Sequence, residues 1–524
     1  KTAGTQTNDE IELLKAQLAA QQSEISELRK AVDDLGDLIK DLRRPKSEPA
    51  TPLAPVSIGI ASSDNKQTDR IGEGATGAGQ SGIVRDDPSP LSFRIGNVDV
   101  TPLASLELTG LFRSKNVGSG VGTSFGAIPY DNTVNGNLSE TRFTAQKIRL
   151  GFRVDARVRQ MDILGFVETD FLGFSPSNVA VNSNSDTLRL RLGWVDIQKN
   201  KIEILAGQSW SMLTPNRKGL SPLPQDIFLG QGLDSNYHIG LTWSRNPQFR
   251  VVYHPSNTVT LGWSLEASEQ YAGGAGGSGA ITLPSGLVAS YGPQLNTGNS
   301  TFGVPNPHLD SIAKIAFDPK FGSRAVHFEV AGLLSRFEFY NPLSKQKFTA
   351  TGGGVAVNGN LELFKNFRLI GNSFYNEGGG RWLFGQGPDL IIRGNGSPEL
   401  VRSASTIDGV EYQVTPKTMI YGYYGGDYFD RTVTIDPANG EPVGFGYTGS
   451  PSDHNRSIQQ ATFGVNYMFW QDRNYGSMQF LSQYSYLIRH PWFVVPGQPR
   501  SANLNMIYLT FRYTLPGASP KEKK

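Results

Sequence analysis

The 524 residues contain no cysteine, which excludes disulfides and thiol chemistry without fixing a compartment. No run of about 18 apolar residues occurs, so a membrane-crossing helix is not expected. The six histidines are scattered and none has the spacing of an HExxH zinc motif. No metal or other cofactor is expected. Charged residues make up only 18%, and the net charge of +2 argues neither way about nucleic acid; none is expected as a partner. No repeat of fixed period is present, which weakens a solenoid reading. The start has neither an initiator Met nor a signal-like segment, so the chain reads as a processed form. Glycine is abundant, at 60 residues, and aromatics reach 10%. That composition suits a large β-structure with many turns. The mean hydropathy of −0.32 is that of a soluble protein. It does not exclude a membrane, because a barrel strand turns only alternate residues towards lipid.

Residues 1–44 read as a coiled-coil helix. Ile11, Leu18, Ile25, Val32 and Ile39 fall at a, and Leu14, Gln21, Leu28, Leu35 and Leu42 at d. Nine of these ten are aliphatic over about five heptads, a strong signal for helices wound together. Glu10–Lys15 and Glu24–Arg29 fall at g and the following e, which suits a parallel bundle. β-Branched a with Leu d leans towards dimers, and Gln21 fixes register at a cost in stability. Pro45 ends the helix. Residues 45–90 are rich in Pro, Gly, Ser, Ala and Thr and show no sustained period, so they read as a flexible linker.

From about residue 91 the period becomes two. In 147–154, Ile148, Leu150, Phe152 and Val154 share one face while Lys147, Arg149 and Arg153 share the other. The same alternation runs through Leu188-Arg189-Leu190-Arg191-Leu192, through Ser105 to Phe112, and through Gln459 to Phe469. About sixteen such segments can be placed, from 104–114 to 501–514, one of them 237–254. Their connections alternate between short, as at Asn200 or 255–257, and long, as at 115–143, 173–186, 213–236, 269–308, 377–401 and 430–455. A charged face opposite an apolar one, with short turns at one end and long loops at the other, predicts a transmembrane antiparallel β-barrel over 91–516 with a polar tail at 517–524. An even strand count puts both barrel ends, and the coiled coil, on the periplasmic side of an outer membrane. Tyr467, Phe469, Trp470, Tyr421, Tyr423, Tyr424, Tyr428 and Phe429 cluster near strand ends and could form aromatic girdles.

Three stretches carry a family resemblance. Ile204-Leu205-Ala206-Gly207-Gln208-Ser209-Trp210, Phe166-Val167-Glu168-Thr169-Asp170-Phe171 and Leu188-Arg189-Leu190-Arg191-Leu192-Gly193-Trp194 resemble DcaP-like porins, with the phosphate-selective porin O/P family similar in outline. The resemblance implies a trimeric sixteen-stranded channel in outer-membrane lipid, with an N-terminal coiled coil and a preference for small anions. It also implies that loop 213–236 folds into the lumen.

A pore's site is its constriction, where charges face each other across a narrow passage. Lys147, Arg149, Arg153, Arg189 and Arg191 form an inward basic ladder, and Arg250 and Arg368 have compatible parity. Clustered cations attract anions, an effect that falls with salt. Glu168 and Asp170 lie on the strand between and either pair with the ladder or line the pore beside it. Asp226 and Asp234 in the loop would complete a field across the passage. Two rival readings stand beside this. One is a barrel that only anchors the coiled coil as a cell-wall tether. The other is an enzyme, resting on Gly122-Thr123-Ser124-Phe125-Gly126, which matches Gly-x-Ser-x-Gly but lies in a long loop with no helix after it.

Overall fold

The computed structural model describes residues 89–173, 187–298, 304–322 and 324–517. The heptad segment, the linker up to residue 88 and the tail beyond 517 lie outside the described residues. Sixteen strands form the wall: β1 (Val98–Arg113), β2 (Arg149–Val158), β3 (Met161–Gly173), β4 (Thr187–Lys199), β5 (Ile202–Trp210), β6 (Arg245–Tyr253), β7 (Val259–Glu266), β8 (Asp310–Phe317), β9 (Arg324–Asn341), β10 (Gln346–Phe364), β11 (Phe367–Glu377), β12 (Arg402–Thr415), β13 (Thr418–Phe429), β14 (Asn455–Asp472), β15 (Gly476–Pro491) and β16 (Ala502–Thr514). Each pairs antiparallel with its sequence neighbours. The sheet closes where β1 meets β16, from Ser105↔Thr514 to Arg113↔Met506. A closed wall leaves no edge of unpaired backbone donors and acceptors.

Connections alternate as expected. One rim carries tight turns such as 159–160, 200–201, 365–366 and 416–417. Asn200 and Asn366 take left-handed backbone there, a conformation asparagine tolerates. The other rim carries the long segments 114–148, 211–244, 267–309, 378–401, 430–454 and 492–501. One connection at that rim, 342–345, is short, because β9 and β10 run on as an 18- and 19-residue hairpin.

Exposure along the wall is the reverse of a soluble protein's. On β1, Leu108 is 52% exposed and Glu107 only 6%. Leu150, Phe152, Val167, Ile204, Phe249, Trp263, Ile315, Phe328, Val355, Phe463 and Phe511 also face outward and are exposed. Keeping one such side chain in water forgoes about 1.5–3 kcal/mol of burial. Of the proposed girdle residues, Tyr424, Tyr428, Tyr467 and Trp470 are exposed, whereas Tyr421, Tyr423 and Phe429 are buried. Strand alternation puts Tyr421 and Tyr423 inside, and only outward parity can build a girdle.

The inside is packed. Loop residues Ala272, Ile281, Leu287, Tyr291, Leu295, Trp382 and Leu390 join Ile312, Leu333, Phe337, Phe339 and Phe374 of β8, β9 and β11 in one apolar cluster. Val121, Phe125 and Ile128 of segment 114–148 pack on Leu487, Leu504, Met506 and Tyr508 of β15 and β16. A third cluster bridges opposite walls: Leu223, Ile227 and Phe228 sit between Phe166, Leu192 and Trp194 on one side and Ile370, Ile407 and Tyr423 on the other.

Candidate functional site

Segment 211–244 crosses the lumen and is tied to strands around most of the wall. Lys314 of β8 donates to Thr214 O at 2.9 Å. Glu329 of β9 accepts from Asn216 N–H at 3.0 Å. Arg217 donates through both terminal nitrogens to Glu411 of β12, at 2.9 and 2.7 Å. Leu233 N–H donates to Gln483 of β15, and the Tyr508 hydroxyl of β16 donates to Asp234 at 2.8 Å. Ile239, Gly240 and Thr242 donate their N–H groups to Gln460, Asp427 and Asn372. These last bonds explain a difference from the expected strand 237–254. Its first part satisfies its backbone on inward side chains instead of a ladder, so β6 begins only at Arg245.

Open space is left on the side of β14–β16, β1 and β2. An open cavity lies between segment 224–237 and that wall, lined by Lys147, Arg149, Arg217 and Arg512 among others. A second is lined by Glu107, Glu168 and Thr514 among others. Arg149 and Arg512 line both. Their positions follow from parity and register: Arg512 lies opposite Glu107, and Arg149 opposite Ser105 and Asp170.

The basic ladder is largely paired. Lys147 sits 3.0 Å from Glu107 and donates to Leu233 O. Arg153 pairs with Asp155 at 2.8 Å. Arg189 donates to both oxygens of Asp170, and Arg191 donates to Glu168 at 2.6 Å with Asp170 3.7 Å away. Glu168 and Asp170 therefore meet the ladder as partners. Arg250 is buried and donates to Trp210 O and Gln248. Arg368 lies 4.0 Å from Glu411. Arg149 is the member with no hydrogen bond or ion pair among the described residues.

Arg189 and Arg191 both turn inward, onto Asp170 and Glu168, but the alternation breaks just beyond them. A bulge opposite Glu168 and Thr169 places Leu190 and Leu192 on successive partners, so Arg191 and Leu192 are both buried while Leu190 is exposed. The side-chain amide of Gln208 donates to the carbonyls of Leu190 and Arg191, at 3.0 Å each, which satisfies the backbone that the bulge leaves open. Asp226 is buried in a 3-10 turn, Pro224–Asp226. Asp234 is buried and accepts from Thr123 N–H, Asn236 N–H and Tyr508. Ser124 precedes a three-residue 3-10 turn, Phe125–Ala127, inside segment 114–148.

Parity would also have flagged Glu107 and Arg512, since their strand neighbours Leu108 and Phe511 are plainly apolar. Arg217 lies in a segment with no period and gave no signal. Arg245 was equally hidden; its guanidinium lies 5.4 Å from the centre of the Trp210 ring and 5.8 Å from that of Trp243.

No protein-family profile matches the chain, and no curated protein sequence does. Solved structures do match. The outer membrane channel DcaP of Acinetobacter baumannii superposes with a TM-score of 0.58 at 18% identity, over 81% of this chain and 99% of that one. In fold, the barrel is DcaP-like. An anion-selective porin from Comamonas acidovorans overlaps at a TM-score of 0.43 and 11% identity, over 80% of this chain and 100% of that chain. OmpT of Vibrio cholerae overlaps at 0.42 and 12%, over 81% and 99%. Within the DcaP-like barrel, the three stretches that carried the sequence resemblance lie on consecutive strands, β3, β4 and β5.

Proposed function

We propose that the protein is an outer-membrane porin, a passive channel for small hydrophilic solutes that prefers anions. The observation that carries the reading is the combination of an apolar outer wall with a polar lumen whose open space is flanked by Arg149, a cation with no carboxylate bonded to it among the described residues. An apolar exterior at this scale belongs in hydrocarbon. Arg149 and Arg512 stand between the two cavities, so a solute moving from one to the other passes both. Segment 211–244 acts as the constriction by narrowing the lumen to that side. The chain works as a homotrimer held by the coiled coil at residues 9–44, which lies in the periplasm. No bond chemistry is needed.

Purified full-length protein in planar bilayers tests this. Stepwise ohmic conductance with a reversal potential on the anion side in a salt gradient is the expected result; cation selectivity removes the basic-wall assignment. A second reading has an observation behind it. Long-rim segments fill much of the lumen, which suits a barrel that serves only to anchor a coiled-coil tether to the cell wall. A silent bilayer from correctly folded protein favours that alternative.

A further inference from the structure

The cavity between segment 224–237 and the wall is lined by both cations and amides. The cations are Arg149, Lys147 and Arg512. The amides are Gln225, Asn466 and Gln479, the last directly opposite Arg512 in the strand pairing, and these carry polar atoms that the fold leaves unused. Both amide atoms of Gln225, Oδ1 of Asn466 and Oε1 of Gln479 are buried without a hydrogen-bond partner. Gln479 is only 4% exposed. Buried polar atoms left without a partner are uncommon and costly, about 1–3 kcal/mol each. The orientation of Asn466 is fixed, because its Nδ2 donates to Gln231 Oε1 at 2.9 Å. Its Oδ1 is therefore an acceptor waiting for a donor. A second carboxylate placed there would meet an oxygen, whereas a hydroxyl or N–H group would be received.

We infer that this cavity is a binding subsite for small carboxylates that carry hydroxyl groups at the end away from the acid, the class of sugar acids. The carboxylate lies towards Arg149, which has no competing carboxylate bonded to it, and the hydroxyls face Asn466, Gln479 and Gln225. Segment 224–233 forms the lid of the site: Gln231 N–H donates to the Tyr423 hydroxyl at 2.8 Å, and Leu233 N–H donates to Gln483. A solute held this way would enter against the pull of salt better than a bare anion, since hydrogen bonds are not screened as charges are. The inference rests on the porin reading above and narrows it to one solute class.

The test uses full-length protein in planar bilayers carrying chloride current, with gluconate or hexanoate added to one side. The two have the same charge and nearly the same chain length, but only gluconate has hydroxyls. Gluconate should half-block the current at about one-tenth the concentration of hexanoate, the worth of one or two net hydrogen bonds. Gln479→Leu should bring the two blockers together, whereas Lys417→Gln, at a turn away from the cavity, should keep them apart. Equal block by both anions in the unmodified protein overturns the inference and leaves the porin reading standing. Discrimination that survives Gln479→Leu and Asn466→Leu together overturns it as well. Absence of any chloride current overturns the porin reading itself.

Discussion

Arg149 differs from its neighbours in one respect that governs ion preference. Arg153, Arg189, Arg191 and Lys147 each face a carboxylate within 3.0 Å, so their fields are largely cancelled at a distance. Arg149 keeps its field in the lumen, where low-dielectric walls prolong it. Arg149→Gln should shift the zero-current potential towards the cation side, and Arg153→Gln should shift it much less. Equal shifts from the two variants would show that ion preference is spread along the wall. Parity alone gave both residues the same standing. What separates them is that Arg153 has Asp155 two residues on along its own strand, whereas Asp170, opposite Arg149, is taken by Arg189 and Arg191 of the next strand, and no single strand's sequence carries that second fact. Leu192 shows the same limit, since a bulge that depends on two strands turns it inward beside Arg191, away from the exposed face of Leu188 and Leu190.

The unit to consider at the scale of elements is segment 211–244. Its hold includes the buried ion pair of Arg217 with Glu411, both partners largely shielded. Removing one member of a buried pair leaves the other charge uncompensated, at about 3–5 kcal/mol. Glu411→Ala should therefore loosen the segment without opening the barrel. The expected signs are larger, noisier conductance and a new protease cut between 215 and 235; unchanged conductance would deny the segment a constricting role. A second element carries a pH dependence. In segment 378–401, Asp389 is buried, accepts from Arg381 N–H at 2.8 Å, and has its carboxyl pushed up to about 7, burial outweighing the nearby Arg381 guanidinium. In the unfolded chain it would titrate near 3.8. The segment's stability is therefore fully present below about 3.8 and is lost as pH rises through about 7. Amide protection factors in 378–401 should fall between about pH 4 and pH 7, and Asp389→Asn should abolish that fall. The long segments were visible in the sequence as gaps in the alternation, but their interior was not. Segment 237–244 looked like a strand because its residues alternate acceptably; side chains from β11, β13 and β14 claimed its backbone instead.

For the whole molecule, the closed wall was the most legible feature. Sixteen alternating segments with unequal connections leave few other ways to bury the polar residues and expose the apolar ones. On the proposed reading, oligomeric state is set by the heptads of residues 9–44. Native mass of the detergent-solubilised protein should be three times that of one chain, and Leu28→Asp should reduce it to one while circular dichroism still reports β-structure. A dimer would instead follow the heptad chemistry. Closure itself has a consequence for how the molecule is made. Thr109 and Thr510 meet across the seam although 401 positions separate them, and Ser89 donates to Pro516 O just past the end of the last strand. Until the final strand arrives, the sheet has two raw margins, and the plug residues that rest on Tyr508 and Met506 have nowhere to settle. Biogenesis must therefore shelter an unfinished sheet for nearly the full length of synthesis, and a chain stopped short of residue 502 would present two sticky borders instead of a smaller pore.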